Sequence, residues 1–170
     1  MLVLEYYVVG EIMYSNKLVC EILIYIDKNI KSKITVEELE KNFFYNRYYI
    51  MKLFKKELGL TIVEYINSIR IYNSIVLMKN NNSNFINIAF QNGFYSLEYF
   101  SEVFKQITSL NPRKFKNFFL HKTNLSNNDI SKINNSIVKL YEISNIKDIY
   151  LSKQKPNIAP VKKLTIFKQN

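Results

Sequence analysis

A chain of 170 residues that is 48% hydrophobic, with only three Gly and three Pro, is excluded from the disordered class and from the turn-rich sandwiches and barrels, so one ordinary helical domain or two small ones is expected. The 24 Lys and Arg against 14 Asp and Glu leave a net charge of +10, which points to a polyanion or an anionic membrane surface as partner. One Cys and one His, Cys20 and His121, exclude a disulfide framework and a Cys/His metal cluster and suit a reducing cytoplasm.

Met1 to Gly10 is apolar but has no basic lead, and no stretch approaches the ~20 apolar residues of a membrane span, so neither a targeting signal nor a membrane partner is read. Residues 1–17 are set apart as a short segment of unassigned role; Leu2 to Val9 suit a remnant of a sensory domain, a single pairing strand or an extra packing segment. Leu18, Ile22, Ile26 and Ile30 then mark a packing helix. Thr35 as N-cap, with Glu38 three residues on, forms a capping box that opens a short helix containing Val36 and Leu39. A longer helix comes next, with Ile50, Leu53, Phe54 and Leu58 on one stripe.

Ile62, Tyr65, Ile66, Ile69, Val76 and Leu77 predict a long helix at about 61–79, stopped by Asn80-Asn81-Asn82. Asn84 caps a second short helix with Phe85, Ile88 and Ala89 that ends at Asn92-Gly93. Phe100, Val103, Phe104 and Ile107 mark a second longer helix. Asn111-Pro112, an N-cap followed by Pro at the first helical position, opens another with Phe115 and Phe119. Beyond His121 the chain turns Asn- and Ser-rich. Ile130, Ile133, Ile137, Leu140 and Tyr141 predict one more amphipathic helix at about 128–151, which either packs on the body or pairs with another chain. Pro156 and Pro160 break regular structure beyond that helix, and Lys162, Lys163 and Lys168 leave a basic end, read as mobile in preference to touching phosphates.

Ile50, Leu53, Phe54 and Lys55 recur fifty positions later as Phe100, Val103, Phe104 and Lys105, and the exits Leu58-Gly59-Leu60-Thr61 and Thr108-Ser109-Leu110-Asn111 match. Each copy is short helix, turn, longer helix, the helix-turn-helix pattern. The expected fold class is therefore all-α, with two helix-turn-helix subdomains, about 18–60 and 84–120, joined by a long linker helix.

The chain resembles the AraC/XylS family of bacterial transcription regulators over about 18–120. The residues that carry the likeness are Leu53-Phe54-Lys55-Lys56-Glu57-Leu58-Gly59, then Glu64-Tyr65-Ile66-Asn67 with Ile69-Arg70. In the second copy they are Ile88-Ala89, Gly93-Phe94, Tyr99-Phe100, Val103-Phe104-Lys105 and Pro112 with Phe115-Lys116. The resemblance implies seven helices in a homeodomain-like arrangement and places Tyr48, Met51 and Lys52 of the first long helix at base-facing positions. It gives Leu97, Glu98, Ser101 and Glu102 the corresponding places in the second. Lys52 suits guanine O6 and N7, Tyr48 a thymine methyl or a phosphate, and Met51 a soft apolar contact. Arg47, Lys55, Lys56, Lys105, Arg113 and Lys114 are expected nearer phosphates, where they add affinity and not sequence choice. Arg70 reads as a structural ion-pair partner in preference to a phosphate contact.

Four positions depart from the family pattern. Glu40 stands where a small residue is usual, so it must swing outward or force the helices apart. Phe44 occupies the small turn position, Ser109 the usual Gly, and Asn111 the usual Thr. Glu98 and Glu102 would face a phosphate-lined groove, which predicts either narrow recognition of cytosine-bearing sites or, as preferred, weak contact by the second unit.

No phosphate-binding Gly loop and no nucleophile-base pair at local spacing is present, so neither an enzyme nor a cofactor is expected. Cys20 reads as a small core residue and His121 as a surface one. The expected function is a sequence-specific regulator on double-stranded DNA in the bacterial cytoplasm, nucleoid-associated, with RNA polymerase or another regulator as further partners. The alternative is a degenerate relative that acts by binding another regulator, for which Glu40, Glu98 and Glu102 are the motive.

Overall fold

Side-chain caps set where several of the helices begin in the computed structural model, which describes residues 17–80, 84–120 and 125–154. Among these are eight helices: α1 (Lys17–Asn29), α2 (Val36–Phe43), α3 (Arg47–Leu58), α4 (Ile62–Asn80), α5 (Phe85–Gln91), α6 (Leu97–Thr108), α7 (Pro112–Phe119) and α8 (Asn127–Gln154). Leu2 to Val9, His121 and the end with Pro156, Pro160, Lys162, Lys163 and Lys168 lie outside the described residues. The first capping box forms as the sequence predicts: the Thr35 amide donates to Glu38 Oε2 (3.0 Å) and the Glu38 amide to Thr35 Oγ1 (3.2 Å). The same Thr-x-x-Glu spelling at Thr61 and Glu64 forms a second box at the start of α4, with distances of 2.7 and 3.2 Å, satisfying two otherwise orphaned donors.

The two units bury separate cores. The first gathers α1 through Val19, Ile22, Leu23 and Ile26 with Leu39, Ile50 and Phe54. Cys20 is among its buried residues. The second gathers Ile88, Ala89, Phe94, Phe100, Phe104 and Phe115, its aromatic rings meeting edge to face at centroid distances of 5.1–5.6 Å, a favoured geometry for ring quadrupoles. The linker α4 feeds both, giving Ile62, Tyr65 and Ile66 to the first core and Ile71, Ile75 and Met78 to the second. From Tyr65 to Ile75 no residue of α4 is exposed, and a helix stretch without a solvent face must be covered on every side.

The cover on α4's remaining side is α8, which packs against α1, α4 and α6. Ile133 and Leu140 enter the second core, and Ile143 and Tyr150 the first. Each fully buried side chain of this size contributes about 2 kcal/mol, so α8 is fastened to both units. Two polar contacts fix its register: Lys147 Nζ lies 2.8 Å from Asp27 Oδ2 of α1, and the Tyr150 hydroxyl donates to the Glu57 carbonyl at 3.0 Å. Of the two arrangements open to this helix in the sequence, packing on the body is the one adopted.

Arg70 requires a correction. It is buried, at 8% exposure, and its partners are backbone carbonyls, not a carboxylate. Nε donates to Ile30 O (2.9 Å) and Nη2 to Ser32 O (2.6 Å), while the guanidinium lies 5.8 Å from the Phe94 ring centroid. Burial lowers its pKa. The chain leaving α1 is thus tied through α4 to the second unit. Gly93 closes the same junction: at φ +81°, a Cβ there would fall 2.7 Å from Ile30 O, a clash with backbone that no side-chain rotation relieves.

Candidate nucleic-acid interface

Helix α3 starts at the N-cap Asn46, whose Oδ1 accepts from the Tyr48 amide at 2.9 Å, and stops at Gly59 in the left-handed conformation. Ile50 and Phe54 turn into the first core with no exposed surface, and half-buried Leu53 and Leu58 pack beside them. The opposite side is therefore left to solvent. Tyr48 is 68% and Met51 46% exposed, and Arg47, Lys52, Lys55 and Lys56 are exposed with them. All the first-unit candidates named from the sequence come together on this side. Among the described residues no carboxylate lies within ion-pair distance of Lys52, Lys55 or Lys56. Arg47 is tethered: its Nη1 is 3.5 Å from Glu37 Oε1 and its guanidinium 5.2 Å from the Tyr48 ring centroid.

Glu40 swings outward. Its Oε1 accepts from the Arg47 amide at 3.3 Å, so the carboxylate sits at the positive N-terminal end of α3, where negative charge is favoured. Phe44 does occupy a left-handed turn, at φ 58°, with its ring 92% exposed.

Helix α6 is built on the same plan. Ser96 caps it, accepting from the Tyr99 amide at 3.1 Å, and Ser109 ends it at φ 66°. Phe100, Val103, Phe104 and Thr108 are buried, and Ala89 opposite them has no exposed surface, which lets α5 and α6 approach closely. The four second-unit candidates divide. Glu98 and Glu102 are exposed, whereas Leu97 and Ser101 are half-buried, Leu97 against the second core. Lys105 is exposed on the same helix. Arg113 and Lys114 are exposed in the first turn of α7, capped by Asn111 through the Lys114 amide at 2.8 Å. Two cations at a helix N-terminus suit a phosphate.

Two ring pairs are not evident from the apolar pattern of the sequence. Tyr45 stacks on Tyr49 with centroids 5.5 Å apart and planes at 22°. Tyr95 stacks on Tyr99 at 5.0 Å and 15°. The signal that could have found them is the offset of fifty that relates the two copies, which holds for both members of the pair.

Residues 39–117 match the family model described as a helix-turn-helix domain. The chain is 34% identical over 92 residues to the "Bifunctional transcriptional activator/DNA repair enzyme AdaA" of Bacillus subtilis, covering 54% of this chain and 44% of that protein. It is 23% identical over 103 residues to the "HTH-type transcriptional activator AarP" of Providencia stuartii, covering 61% and 76%. It is 30% identical over 105 residues to the "Transcriptional regulatory protein HptR" of Staphylococcus aureus, covering 62% and 41%. The chain thus spans under half the length of AdaA and HptR. Among solved structures, the C-terminal domain of AraT, a response regulator from Geobacillus stearothermophilus, superposes with a TM-score of 0.58 at 21% identity, over 66% of this chain and 90% of that one. The DNA-binding domain of AdpA in complex with a target DNA gives 0.58 at 14% identity, over 63% and 96%. At these identities the solved structures speak for the fold.

Proposed function

We propose that this chain, whose residues 39–117 match a helix-turn-helix domain, is a sequence-specific transcription regulator of the AraC type that binds double-stranded DNA through about residues 18–120. The observation that carries this reading is the exposed side of α3. It presents Tyr48, Met51 and Lys52 with Lys55 and Lys56 beside them, on a helix held by a cap at each end. In the major groove Lys52 donates to guanine, Met51 meets an apolar edge, and the flanking cations neutralise phosphates. Helix α6 enters a second groove segment, ~34 Å along one side of the duplex if one helical turn separates the two. With Glu98 and Glu102 as its exposed groove-facing side chains, its grip is the weaker.

The names of AdaA and AarP as activators support activation as the sense of regulation, with RNA polymerase or another regulator as the protein partner. No helix among the described residues is long and apolar enough to cross a membrane, which fits a place in the bacterial cytoplasm at the nucleoid. No catalytic role or cofactor is part of the reading. The test is selection of bound duplexes from a random pool, repeated with Lys52→Ala. A shared motif that loses one position in the variant is the expected result; absence of any enriched motif overturns the reading.

A further inference from the structure

The exposed side of each recognition helix continues past its N-cap. Along the first unit the positions 45, 48, 49, 52 and 55 keep the three- and four-residue steps of one helical strip, and Tyr45, although it precedes the cap, keeps the neighbour relation by stacking on Tyr49. Along the second unit Tyr95, Glu98, Tyr99, Glu102 and Lys105 repeat the pattern, with Tyr95 stacked on Tyr99. Tyr45 is 47% and Tyr95 73% exposed, although rings of this size are ordinarily drawn into a core. The inner ring of the second pair is itself pinned: Tyr99 OH accepts from Asn67 Nδ2 of the linker helix at 3.1 Å. Stacking holds the outer ring in place, so its hydroxyl is presented with little rotamer freedom left to lose. Among the described residues no group takes up the hydroxyl of Tyr45 or Tyr95.

We propose that Tyr45 and Tyr95 are a duplicated pair of phosphate contacts, one at the leading end of each recognition helix, held ready by the rings of Tyr49 and Tyr99. The inference rests on the DNA-binding reading above. A recognition helix enters the major groove with its N-terminal residues toward the bases, which places the residue just ahead of the N-cap at the groove edge, against the sugar-phosphate backbone. There a phenol donates one hydrogen bond to a phosphate oxygen. Such a contact positions the helix without reading sequence. It matters most in the second unit, where Glu98 and Glu102 repel the backbone and the phenol adds to the hold of the exposed Lys105, Arg113 and Lys114.

A neutral donor leaves a signature that separates it from a lysine. It adds affinity without releasing counterions, so it does not steepen the salt dependence. The experiment uses Tyr45→Phe and Tyr95→Phe in the full chain, which keep the stacks, with thermal unfolding to confirm the fold. Affinity is measured against the selected duplex and against an unrelated duplex of equal length, across a salt series. Each variant is expected to lose about tenfold or more on both duplexes, the lower end of the range for one hydrogen bond to a charged acceptor, with the salt slope unchanged. Affinities within twofold of the parent chain, or a loss confined to the selected duplex, overturn the proposal while leaving the DNA-binding reading intact. A parent chain that binds neither duplex overturns both.

Discussion

Phe44 and Ser109 sit at φ 58° and 66°, in the left-handed region where a Cβ meets the following carbonyl and an L-residue is strained by ~1–2 kcal/mol. Gly59 takes the equivalent place at φ 71° without that strain. Because the Phe44 ring is almost wholly in solvent, little packing is lost with it. Phe44→Gly and Ser109→Gly should each raise stability by up to about 1 kcal/mol after the greater freedom of glycine in the unfolded chain is counted, read as a higher midpoint in urea. At the interface, Glu98→Gln and Glu102→Gln are expected to tighten binding to all duplexes alike; a loss restricted to the selected site would instead assign these carboxylates to cytosine. Glu64 adds a pH dependence. Its carboxyl is held below the ordinary value of 4.5, chiefly by the Thr61 amide, so its contribution is present above that pH and is lost as pH falls through the lowered value. Glu64→Gln should flatten that acid limb in an equilibrium unfolding series.

Among the elements, α8 has the widest reach. It covers the linker helix, inserts Ile133 and Leu140 into one core and Ile143 and Tyr150 into the other, and supplies a donor to the last turn of α3 through Tyr150. That hydroxyl satisfies a carbonyl which α3 itself leaves unpaired. Burial raises the Tyr150 pKa to about 12, so it stays a donor throughout the physiological range. Leu140→Ala should destabilise the chain by about 2–5 kcal/mol, as large-to-small changes in a core do, and hydrogen exchange should quicken in both units. Exchange confined to α8 would mean that the helix rests on the body without bracing it.

At the scale of the whole molecule, the two units share α4, α8 and the junction where Arg70 and Gly93 meet the chain leaving α1. Gly93→Ala places a Cβ against the Ile30 carbonyl at a positive φ, and is expected to cost more than about 1 kcal/mol. Arg70→Met would leave two carbonyls without their donor, at about 1–3 kcal/mol each. Both variants should loosen the angle between units before either core melts. The measurable consequence is a broadened distance distribution between spin labels on α3 and α6, with near-parent helicity; an unchanged distribution would show that α4 and α8 hold the units together without the junction.

Helix positions, the repeat and most caps are local properties. Apolar residues at three- and four-residue steps mark the buried side of α3 and α6, and Thr-x-x-Glu or Asn-Pro marks a start, because both depend on neighbours in the chain. The exposed first-unit face was legible for the same reason: it is the complement of Ile50 and Phe54. Contacts across the sequence were not legible. Whether Glu40 swings outward depended on a free amide seven residues on, and Arg70 found carbonyls forty and thirty-eight positions earlier, an outcome that charge pairing does not suggest. The destination of α8 was likewise open, since an amphipathic stripe states that a helix must be covered but not by what. Only the packed arrangement, with α4 needing cover on its last side, decided that α8 supplies it.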